Sequence, residues 1–175
     1  MVNASFIGKK NVLLLLPMLL LLQSCGVYSL SGGSVGNLKT VNVLFFENVA
    51  PLVVNNLSQS FTEALKDRIR TQTRLSTVRS DADATLEGRI TGYTIAPAVL
   101  PATTTNAPPI SNTNRLTITV SVKYTNRLDP KLSFEQSFPR YVDYQGDIST
   151  QEQALIVKIN TQLTEDIFNR AFANW

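Results

Sequence analysis

The sequence predicts an α+β fold, a two-layer sandwich with two amphipathic helices packed on one face of a mostly antiparallel sheet of four to five strands. Two segments carry apolar residues at every third or fourth position, as helices with one buried side do. Another segment alternates apolar and polar residues over the length of a strand. The order is strand, helix, three or four strands, helix. Placing both helices on the apolar face of the sheet buries all of these apolar sides together.

The composition limits the class of protein. Of the 175 residues 43% are hydrophobic, but fifteen of the hydrophobic residues lie among the first 24. The remainder has the composition of one globular domain, which excludes a collagen-like, coiled-coil or disordered chain. The formal net charge of +3 falls to +1 without Lys9 and Lys10. Because phosphate binding needs clustered cations, so small an imbalance predicts no nucleic-acid partner.

Residues 1–24 are predicted to be a lipoprotein signal peptide. Lys9 and Lys10 precede an apolar run, Val12–Leu22. As a helix this run would rise about 16 Å, roughly half the thickness of a bilayer's hydrocarbon core, and Pro17 weakens the helix further. A cationic start, a short apolar segment and a small residue before the cut are typical of an export signal.

Cys25, the only cysteine of the chain, is the predicted lipid attachment site. Leu22, Gln23 and Ser24 before it resemble the bacterial lipobox. Acylation of the sulfur and of the new amino terminus supplies several chains, and two or more chains hold a protein firmly to a membrane. The alternative is a secreted protein with a free thiol. In either case a lone cysteine excludes an intramolecular disulfide.

The mature chain is predicted to be a lipidated flexible tether, residues 25–38, followed by a single domain, residues 39–175. The domain begins with a well-covered strand, Thr40–Phe46, because both of its faces are largely apolar. The alternation places on one side Val41, Val43 and Phe45 and on the other Asn42, Leu44 and Phe46. Asn55 or Asn56 is predicted to cap a helix whose apolar stripe is Leu57, Phe61, Leu65 and Ile69.

Two shorter elements are predicted before a long strand. These are a short strand, Leu75–Val78, and a turn, Asp81–Asp83. The long strand, Thr85–Ile95, contains Gly88 and Gly92. Glycine inside a strand predicts a bulge or the close approach of another backbone.

Residues Pro97–Asn114 are predicted to form a long loop between two strands. The segment holds four of the eight prolines and no charged residue. Loops of this length are usually functional or disordered. A neutral loop stiffened by proline is a candidate docking element, with candidate contact residues Pro97, Val99, Leu100, Pro101, Pro108, Pro109 and Ile110.

The C-terminal third is predicted to form two strands and a helix. In the first strand, Arg115–Arg127, the residues of one side are Leu116, Ile118, Val120, Val122 and Tyr124. Asp129-Pro130 turns the chain into a second strand, Leu132–Asp143. Thr150 is predicted to cap the last helix, whose apolar stripe is Leu155, Ile156, Ile159, Leu163, Ile167, Phe168 and Phe172.

The residue types argue against an enzyme. The chain contains no histidine, and its cysteine is assigned to lipid, so histidine triads, thiolate catalysis and zinc–cysteine sites are excluded. Gly32, Gly33 and Gly36 lack the lysine and the preceding strand of a phosphate-binding loop. The sequence therefore predicts no cofactor, no metal site and no catalytic residue.

The polar side of the sheet offers candidate binding residues. Arg89, Arg115, Lys123 and Arg127, with Arg140, are interpreted as a cationic strip for a phosphorylated lipid, although spaced cations are more often only solubilising. Tyr141 and Tyr144 are a second candidate, for a sugar site, although such tyrosines more often close the edge of a core.

Several segments together resemble the LptE family of lipopolysaccharide-assembly lipoproteins. They are Cys25–Gly32, the strand from Lys39, Phe45–Asn48, Ala82–Ile90 and Tyr93. The resemblance implies an outer-membrane lipoprotein that plugs the LptD β-barrel and assists the delivery of lipopolysaccharide, with the same two-helix sandwich. It also implies that the cationic strip contacts lipopolysaccharide or LptD and that the Pro97–Asn114 loop docks on the barrel.

Two other functions remain open at this point. One is a lipid-anchored periplasmic accessory subunit of another envelope transport complex, without a barrel partner. The other is a lipoprotein hydrolase whose site the residue types do not reveal.

Overall fold

A computed structural model describes residues 35–52, 54, 56–98 and 113–173. The predicted signal peptide and Cys25 lie outside these residues. So do six of the seven candidate loop contacts, namely Val99, Leu100, Pro101, Pro108, Pro109 and Ile110.

The described chain forms six strands and two helices. The strands are β1 (Thr40–Val43), β2 (Glu47–Asn48), β3 (Ser76–Thr77), β4 (Ala84–Pro97), β5 (Thr113–Asn126) and β6 (Phe134–Gln145). The helices are α1 (Leu57–Gln72) between β2 and β3, and α2 (Glu152–Phe172) after β6. Short 3-10 turns, Pro130–Leu132 and Ile148–Thr150, precede β6 and α2. The predicted α+β class and the order of the elements are confirmed.

The sheet is mostly antiparallel, as predicted, although its three short strands add parallel pairs. Its strand order is β3-β1-β4-β5-β6, and β2 pairs with β4 next to β1. The three long strands form an antiparallel meander, whereas β1, β2 and β3 make parallel pairs. The parallel pairs arise because α1 carries the chain back to the end at which β1 began, which is the crossover that parallel strands require.

Both helices pack on the same face of this sheet, as the apolar stripes predicted. All the predicted stripe residues of α1 and α2 are buried. Opposite them, the alternating apolar residues of β5 are buried as well, with Leu116, Ile118, Val120 and Val122 fully so. Polar contacts join the helices: Asn160 Nδ2 donates to Ser60 Oγ at 3.1 Å, and Arg68 Nε donates to Thr164 Oγ1 at 3.2 Å.

The two strand glycines were predicted to mark a bulge or the close approach of another backbone, and each shows one of these features. A Cβ atom at Gly88 would lie 2.1 Å from the carbonyl oxygen of Ser121 and 2.6 Å from the ring of Phe46, so this site is a close approach. At Gly92 the register between β4 and β5 shifts by one residue after Ile90, which marks a β-bulge.

One predicted alternation is wrong at its end. Phe46 is fully buried and Phe45 is 58% exposed, the reverse of the interpretation that placed Phe45 with Val41 and Val43. Val43 pairs with Leu86 and Glu47 pairs with Arg89. The chain therefore advances four residues beside three of β4, and the extra residue reverses the facing.

Neither helix has the predicted side-chain cap. Asn56 occupies the cap position of α1 with φ 64°, but its side chain makes no capping hydrogen bond, and Asn55 lies outside the described residues. The cap position of α2 is Gln151, because Thr150 belongs to a 3-10 turn and its hydroxyl donates to the Asp147 carbonyl.

Candidate functional site

The candidate site is the outer face of the sheet, the side opposite the helices. Side chains that are paired across an antiparallel ladder project on the same side. Arg115 pairs with Asp143, and Lys123 with Glu87. Because their neighbours along β5 point into the core, these four charged residues lie on the outer face. On β5, the outward positions between Arg115 and Lys123 are Thr117, Thr119 and Ser121, and Thr125 follows Lys123.

Arg115 is held by a carboxylate and an aromatic ring. Its Nε and Nη2 atoms donate to the two carboxylate oxygens of Asp143 at 2.7 and 2.9 Å. Its guanidinium carbon lies 3.7 Å from the centre of the Tyr141 ring. The hydrogen bonds from Arg115 lower the pKa of Asp143, and Asp143 raises that of Arg115. This end of the face is therefore a fixed, nearly neutral cluster.

The middle of the face carries Lys123 and Arg89. Lys123 Nζ lies 2.8 Å from Glu87 Oε1, and this contact raises the pKa of Lys123. Arg89 is exposed, with Ser121 opposite it on β5 and Glu47 opposite it on β2. Among the residues that the structure describes, Arg89 forms no ion pair within 4.0 Å.

Arg127 lies at the end of the sheet where β1 and β4 begin. Its Nη1 atom donates to the Ala82 carbonyl at 3.2 Å. Beside it, Asp83 Oδ2 accepts from the backbone N–H groups of Lys39 and Thr40 at 2.8 and 2.9 Å. These backbone bonds, from Lys39 first and then Thr40, lower the pKa of Asp83. Arg127 thus lies just beyond the end of β5, four residues after Lys123.

Arg140 does not belong to the outer face, contrary to its interpretation as part of the strip. It is hydrogen-bonded to both carboxylate oxygens of Asp166 on α2. The two residues line an open cleft of about 480 Å³ together with Tyr141, Gln162 and Glu165. The even-numbered positions of β6 face the helices, and Arg140 is one of them.

The two tyrosines that were considered for a sugar site lie on opposite faces. Tyr141 is 51% exposed on the outer face, whereas Tyr144 is 6% exposed in the core. They cannot line one binding site, so this interpretation is wrong.

The predicted loop is shorter than its sequence boundaries. Pro97 and Asn114 are paired residues of β4 and β5, and Ala98 N–H donates to the Thr113 carbonyl at 2.8 Å. The connection between the two strands is therefore residues 99–112. Proline has no backbone N–H to donate. The ladder nevertheless continues to Pro97, because the nitrogen of Pro97 points away from β5 and no ladder hydrogen bond is lost.

The partners Glu87 and Asp143 were missed at the level of sequence. Each is an acidic residue on an alternating strand, which is a signal for an outward side chain. Their pairing with Lys123 and Arg115, however, depends on the register of three strands, and no local pattern specifies that register.

The sequence model of a family described as LptE, lipopolysaccharide-assembly, matches residues 38–171. The chain belongs to the LptE family. No curated protein matches it. The matched range thus includes nearly all of the described domain.

Solved structures of low sequence identity share the fold of this LptE family member. A protein from Xanthomonas campestris is 9% identical, with a TM-score of 0.55, and the match covers 81% of this chain and 87% of that one. A hypothetical protein from Chlamydia trachomatis is 10% identical, with a TM-score of 0.51, covering 78% and 99%. The rare lipoprotein B from Shewanella oneidensis is 13% identical, with a TM-score of 0.47, covering 74% and 90%. The first two of these matches show the shared fold alone.

Among the residues that the structure describes, neither helix is both long and apolar enough to cross a membrane. No group of three or more acidic or cysteine side chains within them is placed to hold a metal ion.

Proposed function

We propose that this LptE family member is an outer-membrane lipoprotein, anchored through Cys25 and facing the periplasm, that plugs and supports the LptD β-barrel in lipopolysaccharide transport and assembly. The observation that carries the proposal is the family match over residues 38–171. The lipobox-like residues before Cys25 support the anchor, and a lipid-modified cysteine places the domain at a membrane surface.

The outer face of the sheet supports the role of a plug. On this face β5 presents Thr117, Thr119 and Thr125, and the charged side chains of the face are largely paired. The interior of an outer-membrane barrel is polar. A broad face of hydroxyl groups and ion pairs can exchange hydrogen bonds with such a lumen, and most of its charges enter the lumen already paired.

The cations of this face are proposed contacts for lipopolysaccharide, whose lipid A phosphates are anionic. Arg89 is the first contact, because no described carboxylate pairs with it. Arg115 and Lys123 are the next contacts, because each can exchange its carboxylate partner for a phosphate of lipid A. Exposed ion pairs are worth only about 0–1 kcal/mol, so this exchange is inexpensive. Arg127 extends the strip to the end of the sheet where β4 begins.

The neutral connection between β4 and β5 is a proposed docking element for the barrel. It leaves the sheet at Ala98 and returns at Thr113, where the hairpin is already closed by a backbone hydrogen bond. The role proposed for the whole chain is non-enzymatic and uses no cofactor, which agrees with a sequence that has no histidine.

A pull-down of the tagged lipoprotein in mild detergent tests the proposal. Recovery of an outer-membrane β-barrel protein in a one-to-one ratio is the expected result. Recovery of an inner-membrane ATPase complex without a barrel would overturn it in favour of an accessory transport subunit. Turnover of an envelope substrate by the purified protein would instead identify a hydrolase.

A further inference from the structure

One edge of the sheet carries apolar side chains that the fold leaves uncovered. Nine large hydrophobic side chains are exposed among the described residues, and four of them lie within residues 44–52. They are Leu44 (41% exposed), Phe45 (58%), Val49 (52%) and Leu52 (54%). Scattered exposed hydrophobic residues are ordinary, whereas a cluster marks a contact surface. These four residues are called the edge strip below.

The backbone of the edge strip follows the side of β4 that faces away from β5. Leu44 N–H donates to the Leu86 carbonyl at 2.9 Å, and Val49 N–H donates to the Ile90 carbonyl at 2.9 Å. Leu86 and Ile90 are four residues apart on a strand, so the segment follows β4 for about 13 Å. Within the described chain, β2 pairs with β4 alone, and β3 covers only the beginning of β1. No described strand therefore pairs with the edge strip on the side that faces away from β4.

A cationic residue lies next to the strand that leads into these apolar side chains. Asn42 Nδ2 donates to the Arg79 carbonyl at 3.1 Å, which places the backbone of Arg79 next to β1, beside a residue two positions before Leu44. Arg79 is exposed and forms no ion pair with a described residue. Glu47 is paired in register with Arg89 and so projects onto the outer face instead. Asp81 follows Arg79 by two residues, so the net charge of this edge is close to zero. A partner would therefore bind to this edge mainly through apolar contact.

The length of the tether allows this edge to reach the membrane. Val35 and Leu38 pack on the core, and Cys25 precedes Val35 by ten residues. Ten residues span at most about 35 Å, whereas the six residues from Lys39 to Phe45 span about 20 Å. A barrel lumen is polar and matches an apolar edge poorly, while the interfacial region of a bilayer accepts phenylalanine and leucine beside arginine.

We propose that the edge strip docks the anchored domain on the phospholipid leaflet that holds its lipid. Phe45 and Leu52 enter the interfacial region and Arg79 contacts lipid phosphates. The proposal rests on the proposed function only through the anchor at Cys25. It describes the lipoprotein before its capture by a barrel.

Position-specific labelling of the mature, acylated protein in vesicles of phosphatidylethanolamine and phosphatidylglycerol tests the docking. A polarity-sensitive thiol probe is attached to Phe45→Cys, to Leu52→Cys and to a control, Val157→Cys, which is 55% exposed on α2. The expected result is blue-shifted emission, quenched by nitroxide lipids, at positions 45 and 52 but not at 157. Equal, water-like emission at all three positions would overturn the proposal. A shift that appears only after a barrel protein is added would overturn it too, and would assign the strip to a protein partner.

The parent chain separates failure of the anchor from failure of the docking. With Cys25 acylated, the parent has no free thiol and stays unlabelled. If the parent is labelled, the anchor is wrong, and the three probes are then read on the Cys25→Ala chain mixed with the same vesicles. A blue shift at position 45 but not at 157 still supports docking, and its absence overturns it.

Discussion

Arg115 and Asp143 face each other across β5 and β6 and are joined by two hydrogen bonds, of 2.7 and 2.9 Å. This pair changes the character of the outer face. A strip of cations predicted from the sequence becomes a row of alternating charges once the acidic residues of the neighbouring strands are in register. The attraction of the face for phosphates therefore depends on Arg89, for which the described chain provides no ion-pair partner.

Reversing the charge of Arg89 is expected to weaken the binding of lipopolysaccharide while leaving the fold intact. Arg89→Glu removes the cation that is free to meet a phosphate, so affinity and its dependence on salt should both fall. An exposed charge contributes little to stability, and the melting temperature should hardly change. Lipopolysaccharide capture at several salt concentrations measures the effect.

The matched control is Lys158→Glu, which makes the same change of net charge on the exposed side of α2, away from the outer face. It should bind like the unchanged protein. If Arg89→Glu also binds with unchanged affinity and salt dependence, the cations of this face only keep the domain soluble.

Cys25→Ala is expected to release the domain from the membrane without unfolding it. Val35, ten residues after Cys25, is the first described residue that packs on the core, and the described core is built from residues after it. Membrane fractionation in cells that lack LptD gives the answer, because a barrel partner would retain the protein by itself. Continued recovery of the variant with the outer membrane in such cells would contradict the lipid anchor.

Gly88→Ala is expected to destabilise the domain by about 3 kcal/mol, at the upper end of the range for overpacked sites. The added Cβ would lie 2.1 Å from the carbonyl oxygen of Ser121, a backbone atom that cannot turn away. Gly92→Ala is the matched control on the same strand, since its Cβ would lie 3.1 Å from the nearest atom of Thr119. Urea denaturation compares the two, and an equal loss at both positions would refute the close approach.

The helices could be predicted in detail because their burial repeats with the period of the backbone itself. Every residue of the two predicted stripes is buried, from Leu57 in α1 to Phe172 in α2. The cap position of α1 was predicted at Asn55 or Asn56, and Asn56 occupies it without a capping hydrogen bond from its side chain, whereas the cap of α2 is Gln151 and not Thr150.

The side chains of the candidate site were harder to place, because their contacts depend on register. A single extra residue before β2 exposes Phe45 and buries Phe46. The position of Arg140 was nevertheless predictable. It lies two residues from both Phe138 and Val142 and therefore shares their side of β6. The parallel pairing of β1 and β3 required knowing that α1 is a crossover, which neither strand's own residues indicate.

Asp83→Asn is expected to lower stability at neutral pH and to have no such effect in acid. The pKa of Asp83 is lowered in the folded domain, chiefly by the backbone N–H groups of Lys39 and Thr40. Its contribution is therefore fully present above the unfolded value of about 3.9 and is lost as the pH falls through the lower folded value. Urea midpoints should differ between the two proteins at pH 7 and converge once the pH falls below the lowered pKa of Asp83 in the folded domain. A difference that persists unchanged in acid would exclude this carboxylate as its source.

Replacing residues 99–112 by an Asn-Gly turn is expected to preserve the fold and to weaken the capture of LptD. A two-residue turn suffices for a hairpin, and Ala98 and Thr113 are already joined by a backbone hydrogen bond of 2.8 Å. The natural segment instead has fourteen residues without a charge, with apolar Val99, Leu100 and Ile110 and three prolines. Proline reduces the entropy that a segment loses when it docks. A fourteen-residue Gly-Ser replacement is the control, because it keeps the length and removes the apolar and proline side chains. Both variants should melt near the temperature of the unchanged protein and recover less LptD in a pull-down. If both recover as much barrel as the unchanged protein does, the connection between β4 and β5 is not a docking element.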